Sequence, residues 1–596
     1  MKELKSLLAH GHRLLLVSVA LAAAHPLPAQ TGVRVDTAAA VPMRDGVSLK
    51  ADVWRPTSGQ RFPVLVYRTP YDRIEVAAGS DLVRAAVARG YAVVLQDVRG
   101  RYASGGEFEP YRHEGKDGYD TIEWAARQPW SSGAVGTYGL SYPGAVQWLA
   151  AVEQPPALKA MVPAMTYAAP EGFWYSGGVW DGSWLDWTWF NIAPDLRRRL
   201  GRPGPRTEEA VAAAWKSDGT HARRHRPLLT LAQFEGIAPW YYEWMRHPPR
   251  DLWWSWAALE GRYGRVGAAV LNLSGWFDEP YGPIGAATNY AGLVQTRGSA
   301  ASRAGLILGP WTHGVGAVES SKAGDRDFGK RAALDYTATV LEWMDRHVKG
   351  ETNVAERNPP VRVFVMGVNR WRTSDRWPLP GTRADTLYLE PPAGSAKFGQ
   401  LLSKPTAARP SPSVMRSDPS APLADPFEGR AGPHDYRELP ERSQLAVFET
   451  APLTAAREII GPVVAELAVS ASVPDFDIWL QLYDVAPDGT AWNLSSPGTG
   501  LLRASYREGG PERYLVKKGE VVRLRLDRLL TANRFLPGHR LRIIVSTAFF
   551  PLFSVNPQTG AQEFESAESR TGEIRIHHSS AHISRLILPS VSAQRD

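Results

Sequence analysis

Short apolar runs alternate with amphipathic segments in the first third of the chain. Three of these runs have the length and composition of buried strands, in PVLVYRTPY from Pro63, YAVVLQD from Tyr91 and VGTYGLSY from Val135. The segments between them have helical periodicity, and this alternation is typical of a parallel sheet with helices on both faces. The pattern therefore predicts an α/β domain.

The same pattern resumes after an interruption. AAVLNLSGW from Ala268 and AGLILGPW from Ala304 are two further buried-strand candidates, and TATVLEWMDRHVKG from Thr337 is an amphipathic helix. The interruption, residues 166–264, contains half of the chain's 22 tryptophans and predicts a helical cap. Most indoles pack in cores, but an insertion between sheet strands tends to cover the ligand-binding edge. Both interpretations stay open for Trp174, Trp180, Trp184 and Trp187, the candidate pocket residues.

Beyond residue 352 the pattern becomes that of an all-β domain. Segments such as PVRVFVMG, FDIWLQLYDV and HRLRIIVSTA alternate in polarity, carry β-branched residues and are separated by turns such as PDG at Pro487. They predict a jelly-roll sandwich over residues 353–596. The α/β domain then consists of residues 30–165 and 265–352, with the cap between these two parts.

The N-terminus has the organisation of a secretory signal peptide. Basic residues from Lys2 to Arg13 precede the apolar run LLLVSVALAAA, and small residues follow up to Gln30. The run is too short to span a bilayer, so residues 1–29 are predicted to be removed on export. No later segment has the length of a membrane span. We expect a secreted or periplasmic protein.

The amino-acid composition limits the kinds of site and partner that the chain can have. The chain has 596 residues, 44% hydrophobic and 22% charged, which is typical of a globular protein with two or three domains. It has no cysteine, which excludes disulfides, thiolate metal sites and a cysteine nucleophile. The formal charge is +7, but the basic residues form only short clusters, so no nucleic-acid partner is expected.

Ser141 is the candidate nucleophile. It lies between Gly139 and Gly144, after a predicted strand and before a predicted helix. Such a turn exposes the hydroxyl at its tip, and the first helical amide, that of Tyr142, points to where an oxyanion forms. The motif departs from G-x-S-x-G because Pro143 occupies the position of the second glycine. The strand–turn–helix context nevertheless favours a nucleophile in an α/β-hydrolase fold.

The remaining triad members are expected later in the chain, on loops that follow strands. Asp278 follows the strand AAVLNL, and His313 follows the strand AGLIL. Two other acids compete with Asp278. Asp97 precedes the serine and is expected to hold the loop VRGRYASGGEF through its carboxylate, whereas Glu279 is the direct neighbour of Asp278.

Several further segments resemble the CocE/NonD family of serine hydrolases, which includes cocaine esterases, α-amino acid ester hydrolases, glutaryl acylases and X-prolyl dipeptidyl peptidases. The similar segments include RTPYDR, QDVRGRYASGGEF, QPWSSGAVGTYGLSYPG, GWFDEPYG, GPWTHG, WMDRHVKG, VFVMGVNRWR, LLRASYR and GHRLRIIVST, and they span nearly the whole predicted mature chain. The resemblance implies that Ser141 is the nucleophile, that His313 is the general base and acid, and that Asp278 orients the imidazole. It also implies that the Tyr71 hydroxyl and the Tyr142 amide form the oxyanion hole.

The resemblance further implies acyl transfer on an ester or amide, with no metal or organic cofactor. The carboxylates that bind a substrate amine in α-amino acid ester hydrolases are replaced here by Pro280 and Tyr281. Glu279 and the pair Asp181 and Asp186 are possible substitutes. We expect an esterase or amidase with an aromatic acyl pocket that acts on small molecules.

Two alternatives remain. The chain is an X-Pro dipeptidyl peptidase or α-amino acid ester hydrolase, or it is an inactive carbohydrate- or surface-binding protein. A homo-oligomer is compatible with the sequence.

Overall fold

The computed structural model describes residues 32–298, 303–352, 360–406, 411–441 and 444–592. The predicted signal peptide lies outside the described residues. Within them, no helix is long and apolar enough to cross a membrane.

The first part of the chain forms a ten-stranded sheet and two small hairpins. Its strands are β1 (Val33–Pro42), β2 (Ser48–Pro56), β3 (Phe62–Thr69), β4 (Ala92–Asp97), β5 (Ser131–Leu140), β6 (Leu158–Ala164), β7 (Tyr175–Ser176), β8 (Val179–Trp180), β9 (Ala269–Gly275), β10 (Ala304–Gly309), β11 (Lys322–Ala323), β12 (Arg326–Asp327), β13 (Val361–Val365) and β14 (Arg370–Ser374). The order in the large sheet is β1-β2-β4-β3-β5-β6-β9-β10-β13-β14, and the strands from β4 to β13 in this order are parallel.

The helices of this part of the chain are α1 (Arg73–Gly79), α2 (Asp81–Ala88), α3 (Glu114–Ala126), α4 (Tyr142–Ala151), α5 (Ser183–Trp187), α6 (Ala193–Arg199), α7 (Glu208–Arg224), α8 (Pro239–Arg246), α9 (Gly282–Arg297), α10 (Val315–Val318) and α11 (Tyr336–Met344). Of these, α1 to α4, α9 and α11 pack on the large sheet and cover both of its faces. Strand alternation sends Val64 and Val66 into one buried cluster and Leu65 into another. The predicted α/β domain is confirmed.

The segment between β6 and β9 contains α5 to α8 and several short 3₁₀ turns. A π-helical turn at Thr188–Ile192 joins α5 to α6, and π turns inside helices occur frequently at functional sites. The interior is aromatic: Trp174 is fully buried, with its ring centroid 4.3 Å from that of Trp254 and 5.5 Å from that of Trp244.

The remaining strands form a second, all-β unit, as predicted. They are β15 (Arg383–Glu390), β16 (Gly399–Leu402), β17 (Ser413–Ser417), β18 (Ala446–Glu449), β19 (Arg457–Ala471), β20 (Asp477–Val485), β21 (Ala491–Asn493), β22 (Leu501–Arg503), β23 (Val522–Phe535), β24 (Arg540–Ser546), β25 (Gly572–Ile576) and β26 (Arg585–Val591). All twelve belong to one hydrogen-bonded sheet system, in which β23 pairs with β19.

One segment differs from its expected place. The sequence places PVRVFVMG in the β domain, but in the structure it contains β13, which pairs in parallel with β10 of the first sheet. Alternating polarity predicts a strand and does not specify the sheet with which that strand pairs. The other predicted domain boundaries stay predictions.

Candidate active site

Ser141 lies at a sharp bend between β5 and α4. Its backbone has φ 68° and ψ −124°, a strained conformation for a residue with a Cβ. The bend is tight because Gly139 has φ 145°, and a Cβ added there would lie 2.4 Å from Cβ of Pro143. A Cβ on Gly144 would lie 2.5 Å from the carbonyl oxygen of Ala164, which also accepts a hydrogen bond from the Ser141 amide at 3.0 Å. The two glycines allow this turn to form against β6.

Asp278 and His313 form a hydrogen-bonded pair at the ends of β9 and β10. Nδ1 of His313 lies 2.5 Å from Oδ1 of Asp278. The Asp278 carboxylate is fully buried and also accepts hydrogen bonds from Oγ of Ser274 at 2.6 Å and from the Glu279 amide at 2.8 Å. These contacts hold the carboxylate in place, and Asp278 engages the imidazole through Nδ1 rather than Nε2.

The electrostatic environment favours a charged imidazole. Burial alone lowers the pKa of His313, but the charge and hydrogen bond of Asp278 outweigh burial, and Glu279 adds a smaller attraction. The net effect raises the pKa of His313 above its ordinary value. An imidazole in this setting accepts a proton and stabilises the resulting charge, as required of a general base.

The structure brings Ser141 and His313 to the same cavity. Its volume is about 350 Å³, and both residues line it. The cavity walls come from the α/β domain, the cap and the β domain. Such a concave site, formed at a junction of domains, has the size of a small-molecule site.

The two residues expected to bind an oxyanion lie next to Ser141. The Tyr71 hydroxyl accepts a hydrogen bond from Nε1 of Trp187 at 2.9 Å. Burial raises the pKa of Tyr71, and hydrogen bonds with Trp187 and Ser141 partly offset this effect. Tyr142 begins α4, where backbone N–H groups lack acceptors within the helix. Its side chain points away from this role, since its hydroxyl donates to Oε1 of Glu114 at 2.8 Å.

The four candidate tryptophans divide into two pairs. Trp184 and Trp187 line the cavity, and the Trp187 ring stacks against Tyr142 with centroids 6.2 Å apart. Trp174 and Trp180 do not line it: both are almost fully buried in the aromatic core of the cap behind the cavity. Sequence position does not separate the pairs, because all four belong to one aromatic segment.

Three acids line the cavity together with His313: Asp181, Asp186 and Glu279. Asp186 is ion-paired with Arg223, but no ion pair links Asp181 or Glu279 to any cation among the described residues. Burial and the nearby Glu279 raise the pKa of Asp181 to about 7. Burial also raises the pKa of Glu279, although His313 opposes this shift. The cavity therefore contains two carboxyl groups that interact electrostatically and have no ion pair with a lysine or arginine among the described residues.

The fourth acid, Asp97, has another role than expected. Its buried carboxylate accepts hydrogen bonds from the amide of Arg73 at 2.8 Å and from its Nη1 at 2.5 Å. The loop that follows is held instead by the backbone oxygen of Asp97, which accepts a hydrogen bond from Oγ of Ser104 at 2.7 Å. The prediction that the carboxylate holds the loop is wrong, because Arg73 on α1 occupies that carboxylate.

Sequence reasoning missed the contribution of the β domain to the cavity. Arg430, Ser496 and Phe553 line it together with Ser141 and His313. Asp181 is also joined to Phe553 by an isolated antiparallel β-bridge. These residues are far from the serine along the chain and carry no motif, so only the packing of the two domains reveals them.

Comparison with known proteins agrees with this architecture. The family model for X-Pro dipeptidyl-peptidase (S15 family) matches residues 45–315, and that for the X-Pro dipeptidyl-peptidase C-terminal non-catalytic domain matches residues 352–587. The cocaine esterase of Rhodococcus sp. (strain MB1 Bresler) is 35% identical over 577 residues, which cover 92% of this chain and 97% of that protein.

Two solved structures share the whole fold. An aminopeptidase from a marine sediment Thaumarchaeota archaeon has a TM-score of 0.79 at 22% identity and covers 97% of this chain and 99% of its own. An α-amino acid ester hydrolase has a TM-score of 0.78 at 23% identity, and the match covers 95% of this chain and 98% of that protein.

Proposed function

The chain belongs to the CocE/NonD family of serine hydrolases, and we propose that it is an exported enzyme that cleaves ester bonds through an acyl-enzyme intermediate on Ser141. The proposal rests on one observation above all. A serine on a strained strand-to-helix turn lines the same cavity as an imidazole whose Nδ1 is held by a buried carboxylate. This is the constellation that nucleophilic acyl transfer requires.

In the first half-reaction Oγ of Ser141 attacks the carbonyl carbon while Nε2 of His313 takes its proton. The negative charge on the former carbonyl oxygen is stabilised by the Tyr71 hydroxyl and the Tyr142 amide, and the imidazolium by Asp278. The tetrahedral intermediate collapses, and the departing alcohol receives the proton from His313. Water then repeats the sequence on the acyl-enzyme: His313 takes its proton, the acid is released, and the proton returns to Ser141.

The cavity lining supports an aromatic or aliphatic acyl group. Trp184, Trp187 and Phe277 provide apolar surface beside Ser141 and His313, and Phe553 extends it from the β domain. Aromatic side chains bury large areas with few rotatable bonds, so they favour binding of a compact apolar acyl group.

A second candidate function is favoured by Asp181 and Glu279. Two unpaired carboxyl groups in the cavity of Ser141 form a receptor for an ammonium group. An α-amino acid ester or an X-Pro dipeptide carries such a group next to its reactive carbonyl. The names of the matching family models and of the two structural neighbours are compatible with this class.

A substrate series separates these candidates. The wild-type chain and Ser141→Ala are assayed with p-nitrophenyl phenylacetate, its α-amino analogue and an X-Pro anilide. Turnover of both esters with similar kcat/KM, lost in Ser141→Ala, supports the ester hydrolase. A strong preference for the amine or the anilide supports the second candidate. Wild-type activity that survives in Ser141→Ala contradicts both.

Export is tested separately. N-terminal sequencing of the protein recovered from the periplasm or medium should show a mature chain that begins near Gln30. Retention in the cytoplasm with Met1 intact would contradict export.

A further inference from the structure

Arg528 suggests a second site, because it lies on β23 at a β-bulge. The pairing of β23 with β19 shifts register at Val464, so Asp527 and Arg528 together oppose that single residue in a β-bulge. A bulge commonly re-aims a side chain. Here the guanidinium lies against Gly172 of the cap, where an added Cβ would be only 2.2 Å from Nη2. The glycine thus leaves the space that Arg528 occupies.

The guanidinium of Arg528 is attracted by Glu171 and Asp527 but is not in direct contact with either carboxylate. Its Nε is shielded from solvent without a hydrogen bond, and no ion pair within 4.0 Å links it to any described carboxylate. Neighbouring arginines are paired: Arg525 lies 2.7 Å from Glu466, and Arg250 lies 3.6 Å from Glu171. A shielded N–H without an acceptor costs free energy, so Nε of Arg528 is a donor that an external acceptor can satisfy.

Arg528 lines a large groove beside the active site. The groove has a volume of about 810 Å³. Its floor is the small-residue face of α9, which includes Thr288, Ala291 and Gly292. Tyr281 lines both this groove and the cavity that contains Ser141, so the two spaces are neighbours. A bound molecule would extend from Arg528 along α9 towards the back of Tyr281.

Charge in the groove selects the kind of anion. A planar guanidinium fork matches a carboxylate or a phosphate. Glu171 and Glu260 line the same groove and repel a dianion more strongly than a monoanion. The open floor of α9 suits an uncharged organic body rather than a bare inorganic ion.

We propose that this groove binds a small organic monocarboxylate, with the carboxylate on Arg528 and its uncharged body along α9. The site is distinct from the proposed triad. Acids of this class are also the products that an ester hydrolase releases, but binding requires no turnover and is testable without it.

Isothermal titration calorimetry with phenylacetate tests the proposal on the full chain. Phenylacetate should bind wild type and Ser141→Ala equally, and Arg528→Gln should bind it at least tenfold more weakly, since a charge-assisted bidentate contact is lost. The matched control is Arg523→Gln, which removes the same charge from an exposed position on β23 that does not line the groove. The Arg523→Gln variant should bind phenylacetate with wild-type affinity. Inorganic phosphate should bind the wild-type protein at least tenfold more weakly than phenylacetate does.

Unchanged affinity in Arg528→Gln overturns the proposal, as does equal or tighter binding of phosphate. Loss of binding in Ser141→Ala overturns it too, because the ligand would then occupy the active-site cavity. If Arg528→Gln fails to fold, as judged by circular dichroism, Ala291→Phe replaces it. That variant fills the exposed floor of the groove and leaves Arg528 in place, so retained affinity in it contradicts the proposal and a tenfold loss supports it.

Discussion

Replacing Asp278 by Asn tests how the imidazole is positioned and charged. The carboxylate accepts hydrogen bonds from Ser274 on Oδ2 and from the Glu279 amide on Oδ1, which also faces His313. An asparagine with its oxygen in the Oδ1 position keeps two of these contacts, and its NH₂ group donates to the Ser274 hydroxyl. The fold should therefore persist, while the negative charge next to His313 is lost.

The expected loss is large because the carboxylate that stabilises the imidazolium is shielded from water. Asp278 is fully buried, whereas the His313 side chain, which lines the cavity, is 28% exposed. Replacing the acid of a Ser-His-Asp triad by Asn, with the geometry kept, lowers kcat by roughly 10⁴-fold, because the imidazolium loses the charge that stabilises it and the imidazole is no longer held in the correct tautomer. The acid limb of kcat/KM should also move to lower pH, because the main attraction that raises the pKa of His313 is removed.

The assay is the pH profile of kcat/KM on p-nitrophenyl phenylacetate, a substrate without an amine, so that Asp181 does not contribute. Glu279→Gln serves as the control. It should move the acid limb of kcat/KM to lower pH by a smaller amount than Asp278→Asn does, because Glu279 attracts the His313 imidazolium more weakly than Asp278. The reasoning is refuted if Asp278→Asn leaves the acid limb in place or lowers kcat by less than tenfold while remaining folded.

Three further predictions concern the neighbouring groups. Tyr71→Phe removes the hydroxyl that contacts Ser141 and should lower kcat roughly 10²- to 10³-fold with little change in KM. Tyr67→Phe, whose ring packs against Tyr138, should stay near wild type, and equal effects of the two changes would rule out an oxyanion role. Gly144→Ala should lower the free energy of unfolding by about 1–3 kcal/mol in a urea melt, because the added Cβ clashes with the Ala164 carbonyl oxygen. The control is Gly316→Ala, whose added Cβ has no atom within 4 Å, and this variant should unfold like wild type. In the wild type, the ratio of kcat/KM for a substrate with a protonated amine to kcat/KM for its amine-free analogue should rise as the pH increases through about 7, because Asp181 becomes charged there. Asp181→Asn should abolish this rise. A ratio that does not depend on pH in the wild type would contradict amine recognition.

The parts of the site that follow strands were predictable from sequence. Ser141, Asp278 and His313 each come within four residues of the end of a strand, and the carboxyl ends of parallel strands meet at one edge of a sheet. The structure accordingly brings Asp278 and His313 into contact and places Ser141 at the same cavity. Their catalytic roles remain predictions.

The rest depends on packing over long sequence separations. Nothing in the local pattern places Arg430 or Phe553 at the cavity, because their position follows from the docking of the β domain. The burial of Trp174 and the exposure of Trp187 to the cavity depend on helix orientation within the cap. Likewise, the acids Asp181 and Glu279 become neighbours only after the cap folds over β9.

The most direct test of the central claim is labelling with a fluorophosphonate, followed by peptide mass spectrometry. The account predicts a single adduct on the Oγ of Ser141, absent from Ser141→Ala and strongly slowed in Asp278→Asn. A folded wild-type chain that resists the probe, or one modified at another residue, would contradict it.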